Sequence, residues 1–188
     1  MEPLRISQEM KDWNVVVSVA EHGYKPARKA LAEFGNVAKT DFYNVLVMQV
    51  EDPRQLLADW SRQAAQDPEL GTLLSRMMPV SQTFTFQSAE EFEAKAKEAV
   101  LSWIPALAGK GFHVRMHRRG FKGRLTSQGE EQFLDGWLLE KLDDAGTPGR
   151  ISFEDPDAIL AVETVNQRAG LSFWTREALQ RYPLLKLD

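Results

Sequence analysis

The chain has 188 residues, 43% of them apolar and 27% charged, with no cysteine and a formal net charge of −4. That length buries a sizeable core, in one domain or two small ones, and the missing cysteines exclude disulfides, thiolate zinc sites and cysteine nucleophiles. No stretch approaches the roughly 20 apolar residues that span a bilayer, and the start, MEPLRISQEMKDW, has no uncharged apolar run of the signal-peptide kind. A cytoplasmic protein with no membrane role is expected.

The first predicted element is WNVVVSVA, residues 13–20, β-branched and mostly apolar as a covered strand should be. Residues 25–34 read as a helix, because Ala27, Ala30, Leu31 and Phe34 recur at helical spacing and Gly35 stops it. Residues 36–40 and 44–50 read as two strands of a hairpin. Asp52-Pro53 opens the next helix, with Asp as N-cap and Pro in the first helical position, and Leu56, Leu57 and Trp60 supply its apolar face. Asp67-Pro68 repeats that opening for a short helix to residue 75, and residues 80–86 alternate enough for a strand. The order is β-α-β-β-α-β, the ferredoxin-like split motif. A first, ferredoxin-like domain is expected at residues 12–80.

Ser88-Ala-Glu-Glu91 is a capping box, followed on one face by Phe92, Ala96, Ala99, Val100 and Trp103. Residues 111–117 alternate with period two: Phe112, Val114 and Met116 point one way, His113, Arg115 and His117 the other. Ser127-Gln-Gly-Glu130 is a second capping box, starting a helix that packs Phe133, Leu134, Trp137, Leu138 and Leu142. Gly136, inside that helix, costs about 1 kcal/mol against Ala and points to close packing there. After the turn GTPG, residues 150–153, 158–165 and 171–174 read as short strands. They complete a second domain at residues 81–175, with a C-terminal tail at 176–188.

The charge is not spread evenly. Six of the 23 lysines and arginines fall within KGFHVRMHRRGFKGR, residues 110–124, which holds no acid; 17 remain against 27 acids in the other 173 residues. The alternation of residues 111–117 presents these cations on a surface, and the loop after it feeds a helix start, where unpaired N–H groups and the helix dipole favour phosphate. Gly120 and Gly123 let backbone approach a ligand, and Phe121 offers a ring for a base. The plainer alternative is that the run only solvates a strand edge.

Other chemistry finds little footing. His113 and His117 lie roughly 13 Å apart along a strand, too far to share a metal ion. No phosphate loop, GxGxxG or GxSxG occurs, so no cofactor is expected. Glu130 and Glu131 point in different directions on a helix and serve capping better than acid–base work.

The segment GFHVRMHRRG…SQGEEQFLDGWLLEKL with ISFEDPDAILAVETV resembles a THUMP domain, an RNA-binding module of tRNA-modifying enzymes. The likeness is carried by Arg118-Arg119 at a strand end, Ser127-Gln128 at a helix start, Asp155-Pro156-Asp157 after a strand, a closing hairpin, and Pro79-Val80 ahead of the first helix. The resemblance covers roughly residues 80–175 and implies an α+β protein, a ferredoxin-like domain followed by a THUMP α/β domain. It further implies that Lys110, Arg115, Arg118, Arg119, Lys122 and Arg124 contact phosphates of tRNA, with Ser127 and Gln128 as further donors, and that the acceptor end is captured. Because the sequence ends about fourteen residues past the last predicted strand, the likeness is to stand-alone THUMP adaptors of a tRNA cytidine acetyltransferase. A chain that is not itself an enzyme, working with a separate tRNA-modifying enzyme, is therefore expected. The alternative is a protein–protein adaptor whose basic strand docks an acidic partner without RNA.

Overall fold

The run VVVSV forms strand β1 (Val15–Val19), and all four of its valines are buried; branched side chains suit a pleated, covered surface. The structure is a computed structural model and describes residues 10–187. After β1 come α1 (Tyr24–Leu31), β2 (Asn36–Lys39), β3 (Val45–Gln49), α2 (Pro53–Gln66), the single turn α3 (Pro68–Gly71) and β4 (Leu74–Pro79). The strands pair antiparallel in the order β2-β3-β1-β4. Asp52 caps α2 by accepting from the Gln55 N–H at 3.1 Å, and Asp67 caps α3 in the same way.

The β-α-β-β-α-β order holds, but its last strand is not the expected one. Residues 74–79, LSRMMP, were expected to end a helix and begin a connection; they form β4, with Met77 and Met78 fully buried. Leu and Met favour helices and the segment does not alternate, so its strand state comes from pairing with β1 rather than from local preference.

The chain divides into two compact units, Met1–Pro79 and Val80–Asp188. The second unit contains β5 (Gln82–Thr85), α4 (Ala89–Val100), the short α5 (Ile104–Leu107), β6 (Gly111–His117), α6 (Ser127–Asp144), β7 (Arg150–Ile151), β8 (Ala158–Val165), β9 (Arg168–Thr175) and α7 (Arg176–Arg181). Its sheet order is β5-β9-β8-β6-β7, with β6 parallel to both neighbours and the remaining pairs antiparallel. The core face of β6 (Phe112, Val114, Met116) meets Phe92 and Ala96 of α4 and Leu134, Leu138 and Leu142 of α6. Phe86 and Phe92 stack edge to face at 5.2 Å. The fold is α+β, as expected.

Three local expectations change. Residues 176–188 are not a tail through Leu187: α7 is followed by a 3₁₀ turn, and Leu185 and Leu187 are buried. Thr126, not Ser127, is the N-cap of α6, its Oγ1 accepting from the Gly129 N–H at 3.0 Å. A Cβ on Gly136 would meet open space, so that glycine marks no close packing.

Candidate nucleic-acid interface

β7 is only two residues long and reaches β6 only at Gly111 and Phe112. Beyond Phe112 that edge of β6 has no strand neighbour, and its N–H groups are met by a helix instead. Val114 N–H donates to Asp135 Oδ1 at 2.9 Å, and Met116 N–H donates to Glu131 Oε2 at 2.8 Å. The match follows from two periods: residues i and i+4 on one helix face span about the rise of two strand residues. Sequence reasoning missed this role, although the four-residue spacing of the two carboxyls was visible.

Two acids of α6, Asp135 and Glu130, hold their protons unusually well. Burial pushes Asp135 up to about 7, with the Val114 N–H opposing and Glu131 adding to the rise. Burial, then the charge and hydrogen bond of Glu93, push Glu130 up to about 7 as well. Glu130 Oε2 is buried without a hydrogen-bond partner. A hydrogen bond to a second carboxyl needs a proton between them, which is why Glu130 holds its own to higher pH.

The loop after β6 is pinned at both ends. Arg119 N–H donates to Thr164 Oγ1 at 3.1 Å, and Arg119 O accepts from the Asn166 N–H at 2.8 Å, which fixes the loop to the β8–β9 turn. Gly120 has φ +90°, and a Cβ there would sit 2.9 Å from Asn166 Oδ1, so no other residue fits. Phe121 is half-buried, 5.1 Å from the Phe86 ring, and Leu125 is buried. Between those anchors Lys122, Gly123 and Arg124 are exposed. The Arg124 guanidinium lies 5.4 Å from the Phe121 ring centroid, a cation–π contact that holds it over the loop. Phe121 therefore serves as an anchor rather than the stacking surface expected for a base.

The eight residues proposed from sequence fall into four places. Arg118, Lys122 and Arg124 share the loop, close to Ser127 at the start of α6; Arg118 also donates to Gly120 O. Arg119 turns inward: its side chain is 13% exposed and lies 3.5 Å from Glu163, which is fully buried and also 3.3 Å from His117 Nδ1. Arg115 and Gln128 line a cleft of about 770 Å³ beside the open edge of β6. Lys110 is exposed but precedes β6, about 26 Å of extended chain from Arg118 at roughly 3.3 Å per residue. There, Asp157 accepts the Gly111 N–H at 2.9 Å, and that bond, then Arg176, Arg150 and Lys110, hold its carboxyl below the ordinary range. His113, expected on the polar face, is 7% exposed and bonded through Nδ1 to Ser152 O at 2.8 Å.

Among the described residues no group of three or more His, Asp or Glu could hold a metal ion. No helix there is long and apolar enough to cross a membrane.

No protein-family profile and no curated protein matches the chain. Solved structures do. PH1313 from Pyrococcus horikoshii superposes with a TM-score of 0.58 at 13% identity, over 85% of this chain and 53% of its own. TrmN from Thermus thermophilus gives 0.54 at 16% identity, over 86% of this chain and 44% of its own. A 4-thiouridine synthetase, solved as a complex with RNA and ATP, gives 0.51 at 15% identity, over 87% of this chain and 42% of its own. This chain thus spans about half or less of the length of these proteins, and the fold is THUMP-like. The expectation that the chain is no enzyme is corrected: a 4-thiouridine synthetase is among the structures that share its fold, so its fold relatives include enzymes. The end of the sequence is no ground for excluding chemistry.

Proposed function

We propose that this chain binds tRNA through the loop bearing Arg118, Lys122 and Arg124 and positions it for a nucleotide modification. The observation that carries the proposal is that loop: Lys122 and Arg124 exposed, and Arg118 half-buried, around the anchors Phe121 and Leu125 ahead of an 18-residue helix, in a segment without acids. Cations beside a helix start suit phosphate, and the contacts of Arg118 with Gly120 O and of Arg124 with the Phe121 ring lower the ordering cost of those two side chains. The THUMP-like fold and the RNA-bound synthetase that shares it support the proposal. The acceptor end of tRNA is the portion implied by the resemblance, and cytidine acetylation the reaction. Arg119 is removed from the contact set because its charge is committed to Glu163, and Lys110 because it lies at the far end of β6.

The test is the Lys122→Ala/Arg124→Ala variant. Both side chains are exposed, so stability should change by less than about 1 kcal/mol, while tRNA affinity falls at least about tenfold, equivalent to about 1.4 kcal/mol. Unchanged affinity in a folded variant would remove the loop from the site. For the reaction, nucleosides from cells lacking the chain should lose acetylated cytidine from their tRNA; an unaltered profile would discard that modification while leaving RNA binding standing.

A further inference from the structure

The cationic tip of the loop is a closed turn. Phe121 O accepts from the N–H groups of both Arg124 and Leu125, at 3.0 and 3.1 Å, so Lys122 and Arg124 are carried together. That turn hangs from Gly120, whose φ of +90° only glycine adopts readily, and a bare glycine hinge would let it swing. Phe121 follows with φ +57°, a conformation that costs an aromatic residue energy unless its surroundings impose it. Contacts from outside the loop must therefore fix it.

We propose that Thr164, with the β8–β9 turn that follows it, is a positioning residue for RNA binding: it sets the cationic loop in its binding shape without touching the ligand. Pairing of β6 with β8 stops at His117 and Glu163. Beyond it, Thr164 Oγ1 accepts the Arg119 N–H at 3.1 Å, and the Asn166 N–H donates to Arg119 O at 2.8 Å. Asn166 and Gln167 are the two residues between β8 and β9. Gln167 O accepts the Phe86 N–H at 2.9 Å, and the Phe86 ring is the one against which Phe121 packs, at 5.1 Å. One turn thus holds the chain on both sides of the Gly120 hinge.

The hydroxyl is what singles out Thr164. β8 reads AILAVETV and is buried along its whole length. A polar side chain belongs in such a strand only with a partner. Glu163 has Arg119 and His117; Thr164 has the Arg119 N–H. At 1% exposure its side chain is out of reach of a ligand, so any effect it has on RNA must pass through the loop. Valine has the same branched shape without the hydroxyl, and replacing Thr164 with it isolates that bond.

This inference rests on the reading of the loop as the RNA contact, and the test separates the two. Affinity for tRNA is measured by fluorescence anisotropy for the parent, Thr164→Val, Thr164→Ser, Lys122→Ala/Arg124→Ala and the triple variant Thr164→Val/Lys122→Ala/Arg124→Ala. Thr164→Val should bind about three- to tenfold more weakly, the cost of ordering one or two side chains on binding. Thr164→Ser, which keeps the hydroxyl, should restore parent affinity. In the loop variant Thr164→Val should add less than about a twofold loss, because few cations remain to be positioned. A Thr164→Val protein that binds like the parent, a Thr164→Ser protein that binds as poorly as Thr164→Val, or an equal loss in the loop variant overturns the role of Thr164. Unchanged affinity in Lys122→Ala/Arg124→Ala would instead overturn the loop reading. Should Thr164→Val not fold, hydrogen exchange on the parent decides. The Arg119 and Asn166 amides should be protected before tRNA is added and no further protected after it; protection gained only with tRNA would mean that the ligand, not the turn, orders the loop.

Discussion

Arg119 and Lys122 lie three residues apart and have opposite roles. Replacing Arg119 with Ala removes the cation beside Oε1 of Glu163, a fully buried acid whose Oε2 faces His117. Breaking such a pair should cost about 3 kcal/mol, seen as a lowered urea midpoint with the slope unchanged; a variant as stable as the parent would mean that the pair adds nothing. Glu130 and Asp135 set the pH dependence. Both have folded-state pKa values near 7, above the ordinary carboxyl value of about 4. The folded state therefore keeps protons that the unfolded state releases, and stability should fall as pH rises from about 4 to 7 and level off beyond. Glu130→Gln and Asp135→Asn should each flatten that fall; a difference of about 1 kcal/mol corresponds to about 2–4 °C in melting temperature for a chain of this size. Melts at pH 5 and pH 8 check it, and equal slopes in parent and variants would contradict the assignment.

At the scale of elements, β6 organises the second unit. One side of it feeds the core through Phe112, Val114 and Met116, and its open edge is held by α6. Met116→Asp should prevent stable folding, because it places an unpaired charge at a 3% exposed position; a variant that melts like the parent would refute the core assignment. The alternation that makes β6 legible in sequence is a local signal, as are the proline-led starts of α2 and α3 and the Ser88 cap. What the sequence hides is decided by neighbours. LSRMMP carries no strand signature and is a strand because β1 lies beside it. The polar face of β6 reads as solvated by its residue types, yet His113 is covered and Arg119 meets an acid 44 positions further along the chain. Period and composition cannot place Glu163 opposite Arg119; only the parallel pairing of β6 with β8 does that. The residues after 175 read as a tail because they are short and mixed, yet Leu185 and Leu187 find a covered surface.

At the scale of the whole molecule, an acidic protein keeps its positive charge local. With a net charge of −4, long-range attraction to a polyanion is weak and binding must come from contacts within a Debye length, about 8–10 Å in ordinary buffers. The loop cations meet that condition as a group; Lys110 does not join them. This difference is measurable: Lys110→Ala should leave tRNA affinity within about twofold, and a tenfold loss would mean that the contact surface follows β6 along its whole length. The most direct test of the central claim is the salt dependence of tRNA binding, followed by fluorescence anisotropy from about 50 to 300 mM salt. Counterion release by three loop cations predicts a log–log slope of about −2 to −3. In Lys122→Ala/Arg124→Ala the slope should move about two units toward zero. Absence of binding at low salt, or a slope that the double variant leaves unchanged, would contradict the account.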